Sequence, residues 1–339
     1  MDKICVIGHP SRLGGADTEL DHQIRVWQAM GLKVYILHTG TIDENLKNMR
    51  MEERGCTYLP VRKWEACKDM VVIGYCNDQF LKNLRIIKEH AKAVIWVNCM
   101  TWLFGPEKDA HKAGLIDLFL YQTHHAQARV NNDLERTNPK YNWMVSKPYF
   151  HAEDFPFTGK RPDDKFRFGR VSRDDPAKFN HRQMWIYETM VAPVLKEGKI
   201  LGWGPNAGIQ AKLGAPPPWI QTFPAGGCRA QDVYASSDCI IQACDTYENL
   251  PRVAFEAMSS GCLLIVDKRG GWIEQVEHGK TGFLCENDRD FVYYSSRAAY
   301  ETEERRKMTE NARDWLTTNW GMESSKKEWA AVFNKVLAK

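Results

Sequence analysis

The sequence predicts an α/β protein of two open domains, each built on a parallel sheet, and three observations carry that prediction. Its 339 residues are enough for two domains of ordinary size. Apolar runs of strand length alternate with helical patterns through the first half, break once in a charged, proline-rich stretch, and then resume. Apolar and charged residues, 43% and 26% of the chain, occur in the proportions of a globular protein rather than a disordered or fibrous one.

Taken in order, KICVIG reads as a buried strand followed by the polar, glycine-containing loop HPSRLGGADT. A helix follows from about Glu19 to Met30, with Leu20, Ile24 and Trp27 at helical spacing, and Gly31 ends it. KVYILH, MVVIGY, AVIWVN and LFLYQT are the next strands, with FLKNLRIIKEHAK predicted as one helix between the second and third of these. The stretch VSKPYFHAEDFPFTGKRPDD breaks the pattern. The second series runs through RFGRVS, a helix near Arg182–Leu195, GKILGW, a helix at Ala230–Ser236, DCIIQA, a helix after Pro251, and CLLIVD. Strands separated by helices give parallel sheets covered on both faces. The expected boundaries are residues 1–150, a linker at 151–162, a second domain at 163–315, and C-terminal helices at 316–339 packing back toward the first. Two such domains leave a crevice at the carboxyl ends of their strands, where these sheets bind ligands.

Bulk charge and cysteine use narrow the function classes. A net charge of +3 is too small by itself to argue for nucleic acid. Runs such as CLLIV are too short for a membrane span, and MDKICVIG has no signal-peptide pattern. Ten cysteines without a CxxC pair predict free thiols, no zinc site and a reduced, cytoplasmic setting.

The most informative stretch is ENLPRVAFEAMSSGCLLIV, from Glu248 to Val266. Pro251 suits a first helical position, because its missing N–H would be unpaired there anyway. The helix it opens aims unpaired amides and a positive dipole end at the preceding loop, which makes an anion site. Glu248 lies just outside that end, and Glu256 lies about 7–8 Å along the axis from Pro251. Carboxylates accept hydrogen bonds from vicinal diols, which ribose and hexoses both offer. Taken alone, a glutamate in a first turn only complements the dipole, so the flanking residues decide.

Those flanks resemble the retaining GT-B glycosyltransferases, specifically glycosyltransferase family four with its Glu-x7-Glu signature. RAQDVYASSDCIIQACDTYEN resembles the family's helix and strand leading to the first glutamate, and GCLLIVDKRGGWIEQVEHGKTGFLCEN resembles the segment that follows the second. The resemblance is good from about Arg167 to Asn287 and looser in the N-terminal half. It implies two Rossmann-like domains whose parallel sheets face each other across a cleft.

By that resemblance Glu256 binds ribose hydroxyls and Glu248 binds the donor sugar. Backbone groups at Asn249, Leu250, Arg252 and Val253 face the diphosphate or sugar. The family's basic pair maps onto Arg173 and Lys178 in SRDDPAK, with Arg170 in FGR a second candidate. With Glu248 they form the implied catalytic set, because two cations can stabilise a leaving diphosphate without a metal. Gly14 and Gly15 resemble the family's N-domain glycine loop, and the loop lacks the GxGxxG of dehydrogenases. Where many members carry a histidine after the strand AVIWVN, this chain has Asn98, Cys99, Met100 and Thr101. His124 and His125 follow the next strand and are candidates to face substrate or simply to begin a helix.

The implied reaction moves a hexose from a nucleotide-diphosphate sugar, UDP-linked by family default, to a hydroxyl, with no further cofactor and no metal. The domain crevice would close to exclude water. Trp203, Trp219 and Phe223 lie in loops of the second domain and are candidates either to flank a base or to serve packing. The acceptor is left as a glycan, a lipid-linked sugar or a modified nucleobase. The 80–92 helix, with Lys82, Arg85, Lys88 and Lys92, either touches an anionic membrane weakly or covers a sheet with a solvated basic side. Two other functions share this architecture: a sugar-nucleotide 2-epimerase and a non-catalytic nucleotide-sugar-binding protein.

Overall fold

In a computed structural model the chain forms two units, Met1–His151 with Trp320–Lys339, and Ala152–Asn319. The structure describes residues 1–11, 14–159, 162 and 164–338. Lys160 and Arg161 of the expected linker lie outside the described residues.

Unit one carries a seven-stranded sheet: β1 (Lys3–Ile7), β2 (Lys33–Leu37), β3 (Thr57–Leu59), β4 (Val71–Tyr75), β5 (Ala93–Asn98), β6 (Leu118–Tyr121) and β7 (Trp143–Val145). Their order is β3-β2-β1-β4-β5-β6-β7 and every pair is parallel. Alternate residues of one strand serve opposite faces. Ile4 and Val6 pack with Leu20, Ile24 and Trp27, whereas Cys5 and Ile7 pack with Phe80, Leu84 and Trp96. The first of these faces is completed by the helix Met322–Leu337. Trp329 meets Trp27 edge-on, with ring centroids 4.8 Å apart, and its indole N–H donates to Gln23 at 2.8 Å. A buried indole finds its partner this way without giving up the apolar contact.

Unit two carries a six-stranded parallel sheet: β8 (Lys165–Val171), β9 (Leu195–Leu201), β10 (Ile220–Phe223), β11 (Cys239–Gln242), β12 (Leu263–Asp267) and β13 (Gly282–Cys285). Its order is β10-β9-β8-β11-β12-β13. Phe168, Ile200, Ile241, Ile265 and Phe283 form one core face with Ile186, Tyr187 and Phe291 from the covering helices.

Three helices depart from the sequence pattern. The first begins at Gly15, not near Glu19, because Gly14 supplies φ +84° at the cap and the Thr18 hydroxyl bonds the Gly14 carbonyl at 2.8 Å. The segment 80–92 falls into two helices, Asp78–Lys82 and Leu84–His90. Asn83 divides them, its side-chain amide taking the Gln79 carbonyl at 2.7 Å. The helix expected over 182–195 ends at Thr189, since Pro193 disfavours helical backbone at Ala192, and Leu195 opens β9 instead. Among the described residues none of the ten cysteines is joined in a disulfide. Among the described residues, no helix is long and apolar enough to cross a membrane.

At the carboxyl ends of β1 and β2, His9 and His38 meet through their Nδ1 atoms at 3.0 Å, and His9 Nε2 meets the Thr39 hydroxyl at 3.0 Å. His38 is 1% exposed. Burial lowers its pKa to about 4, helped by His9 and opposed by Asp43, and burial likewise lowers that of His9. The unfolded chain therefore binds a proton near pH 6.5 that the native His38 refuses until about pH 4. Stability from this site is present in full above pH 6.5 and falls as the pH drops from 6.5 toward 4, by up to roughly 3 kcal/mol. Chemical denaturation of wild type and His38→Asn across this range checks it. The wild type is expected to lose more stability than the variant on acidification.

Candidate functional site

The predicted residues of unit two gather at the carboxyl ends of β8 and β11. After β8 the chain makes a short 3-10 turn, Pro176–Lys178, whose start is capped by the Asp175 carboxylate accepting from the Ala177 amide at 2.9 Å. After β11 it runs through Asp245–Leu250 into the helix Arg252–Ser260. The two loops are tied together. The Asn180 amide donates to the Ala243 carbonyl at 3.2 Å, and the Thr246 hydroxyl to the Ala177 carbonyl at 3.3 Å.

This pairing brings Lys178 to Glu248. Its ammonium donates to Glu248 Oε1 at 2.6 Å, both side chains being only partly exposed, at 22% and 16%. The two residues are seventy positions apart and belong to separate motifs. Arg173, on the same loop as Lys178, is exposed and makes no side-chain hydrogen bond or ion pair among the described residues.

Pro251 caps the helix rather than opening it, because its ψ of 118° is extended. The Pro251 cap itself makes no side-chain hydrogen bond to this end. Backbone amides at a helix start are groups that an anion can use. Asn249, Leu250 and Arg252 are buried, and Val253 is half-buried. Gly270 and Gly271 cover this segment from the other side. The Gly271 amide donates to the Glu248 carbonyl at 2.9 Å, and a Cβ on Gly271 would stand 1.3 Å from the Asn249 carbonyl oxygen. Only glycine allows that approach.

Glu256 sits in the second turn of the helix, half-buried, and accepts from the Tyr234 hydroxyl at 2.6 Å. Burial raises its pKa above the ordinary glutamate value, while the Tyr234 hydroxyl and the Arg252 charge oppose the rise. Nearby, Asp267 accepts from the Cys244 amide at 2.9 Å, and burial pushes its carboxyl up to about 6. Arg269 bonds the Cys244 carbonyl and lies 5.4 Å from the centre of the Tyr247 ring.

Arg170 is not where direct donor contact would need it. It is 0% exposed, lies 4.5 Å over the Phe179 ring, and directs its guanidinium at the Lys178 and Ile241 carbonyls. The aromatic face and the carbonyls draw it inward, behind the loop. Sequence reasoning passes over Lys212, Tyr234 and Asp245. Tyr234 is visible inside its motif, whereas Lys212 carries no signal, lying in the unremarkable helix Ala207–Leu213.

In unit one, Gly14 and Gly15 are exposed at the start of the first helix, and a Cβ on Gly15 would meet nothing within 4 Å. His124 and His125 begin the helix His124–Thr137, capped by the Thr123 hydroxyl accepting from the Ala126 amide at 3.0 Å. His124 is exposed and His125 half-buried.

Comparison with known proteins agrees with this architecture. Residues 226–315 match the family model described as Glycosyl transferases group 1. Spore coat protein SA of Bacillus subtilis (strain 168) is 27% identical over 106 residues, which is 30% of this chain and 28% of that protein's length. Among solved structures, Anabaena Alr3699/HepE in complex with UDP-glucose superposes with a TM-score of 0.73 at 15% identity, over 98% of this chain and 99% of that one. A glycosyltransferase from Rickettsia africae ESF-5 gives 0.76 at 13% identity, over 100% and 99%. A point mutant of S. aureus TarM, in complex with fondaparinux, α-GlcNAc-glycerol and UDP, gives 0.75 at 11% identity, over 98% and 100%. The fold is that of the GT-B glycosyltransferases, with two Rossmann-like parallel sheets.

Proposed function

We propose that the chain is a retaining glycosyltransferase that moves a hexose from a UDP-linked sugar to a hydroxyl acceptor. The acceptor class is a glycan, a lipid-linked sugar or a modified nucleobase. The observation that carries the proposal is the Lys178–Glu248 contact at 2.6 Å, beside the start of the helix Arg252–Ser260. It joins a cation suited to phosphate with a carboxylate suited to sugar hydroxyls. The match of residues 226–315 to the group 1 glycosyltransferases and the UDP and UDP-glucose complexes of fold relatives support the nucleotide-sugar class.

In this mechanism the helix amides, Arg173 and Lys178 stabilise charge as the diphosphate leaves, a task that does not require a metal. Glu248 holds sugar hydroxyls and Glu256 holds the ribose diol. The departing diphosphate takes the acceptor's proton on the same face of an oxocarbenium-like sugar, so no protein base of matched pKa is needed.

A panel of nucleotide sugars tests the proposal, scored by ligand-induced thermal stabilisation and by slow release of nucleoside diphosphate. UDP-sugars are expected to stabilise the protein most and to release UDP. Conversion of the donor to its C2 epimer would replace transfer with epimerisation, and binding without turnover across acceptor classes would leave only a nucleotide-sugar-binding role.

A further inference from the structure

Two cations lie behind the Lys178 turn and spend their hydrogen bonds on the protein. The Lys212 ammonium has three protons and three acceptors: the carbonyls of Pro176 at 2.8 Å and Phe179 at 2.7 Å, and the Asp245 carboxylate at 2.6 Å. Arg170 takes the Lys178 carbonyl. With Thr246 on Ala177, every carbonyl from Pro176 to Phe179 is held by a side chain from outside the turn.

We propose that Lys212 and Arg170 are positioning residues that clamp this turn by its carbonyls and so fix where the Lys178 ammonium meets the diphosphate. The proposal rests on the nucleotide-diphosphate reading given above. A 3-10 turn of three residues has poor internal hydrogen bonds and would not hold one conformation alone. Lysine adds a long flexible stem, so a loose turn would spread its ammonium over many positions and lose binding to the entropy of ordering it. Bonds from outside to all of these carbonyls remove the backbone part of that cost before the ligand arrives. Neither cation can take over the role of Lys178: Arg170 is fully buried, and the Lys212 protons are all in use.

The test is a double-mutant cycle read by calorimetry with UDP, and with uridine as the probe lacking phosphates. Lys178→Met is expected to weaken UDP binding about tenfold or more, the scale of a charge-assisted hydrogen bond. Lys212→Met is expected to weaken UDP severalfold, leave uridine unchanged, and add little in the Lys178→Met background. Lys212→Arg, which keeps the charge, restores part of the loss. Arg170→Lys, which shortens the reach to the Lys178 carbonyl, repeats the pattern should Lys212→Met fold poorly. If Lys178→Met binds UDP as well as wild type does, the phosphate assignment itself fails. If Lys178→Met is weakened but the Lys212 and Arg170 variants are normal, additive with it, or equally poor with uridine, only the positioning role is overturned.

Discussion

Glu256→Ala is expected to bind UDP roughly thirtyfold to a hundredfold more weakly than wild type when titrated calorimetrically, because the proposed ribose contact then loses both acceptor oxygens of a half-buried carboxylate at once. The effect also has a pH signature. Burial raises the Glu256 pKa, and the proposed ribose contact calls for the ionised form, which can accept from both hydroxyls. UDP affinity should therefore be full above that raised pKa and fall as the pH drops through it, beginning at a higher pH than for an ordinary glutamate. The Tyr234 hydroxyl restrains the rise, so Tyr234→Phe should move the loss to still higher pH without removing the carboxylate. Glu256→Gln, which cannot titrate, should give a flat profile at reduced affinity.

The second large effect belongs to the cations. Arg173→Ala combined with Lys178→Met is expected to lower kcat for UDP release from the sugar donor by about a thousandfold. In the proposed mechanism their charges are needed most when the diphosphate leaves, so the loss should appear in kcat more than in KM. The single Lys178→Met variant also leaves Glu248 without its partner at 2.6 Å. Arg173→Ala leaves no such orphan among the described residues, and should fold as stably as wild type. Steady-state kinetics on the two singles and the double separates these contributions.

Much of the fold is legible because parallel strands buried on both faces are written as unbroken apolar runs. CVI, VVI and LLIV are apolar runs of strand length containing β-branched residues, with glycine or charged residues close by, which marks them as strands. The short strands Thr57–Leu59 and Trp143–Val145 escape such a reading, because three residues at a sheet edge carry too little pattern. Helix ends are less legible than helix existence: Asn83 and Pro193 each break a run whose apolar spacing continues past them.

The site divides along the same line. Lys178 and Glu248 belong to motifs readable in order along the chain, and the fold brings these two into contact. Arg170 reads as a ligand contact because the sequence records charge and not depth, and the Phe179 ring that draws it inward lies nine residues on. Lys212 could not have been found, since its three partners lie in two other loops that only the sheet order brings beside it.

A crystal structure with UDP bound tests the assignment of Lys178, Glu256 and the start of the helix Arg252–Ser260 as the donor site. The diphosphate is predicted within hydrogen-bond distance of the Lys178 ammonium and the amides of Arg252 and Val253, with the ribose diol on the Glu256 carboxylate. A nucleotide seated away from the start of the helix Arg252–Ser260, or a ribose turned from Glu256 while Lys178 remains on Glu248 alone, would contradict it.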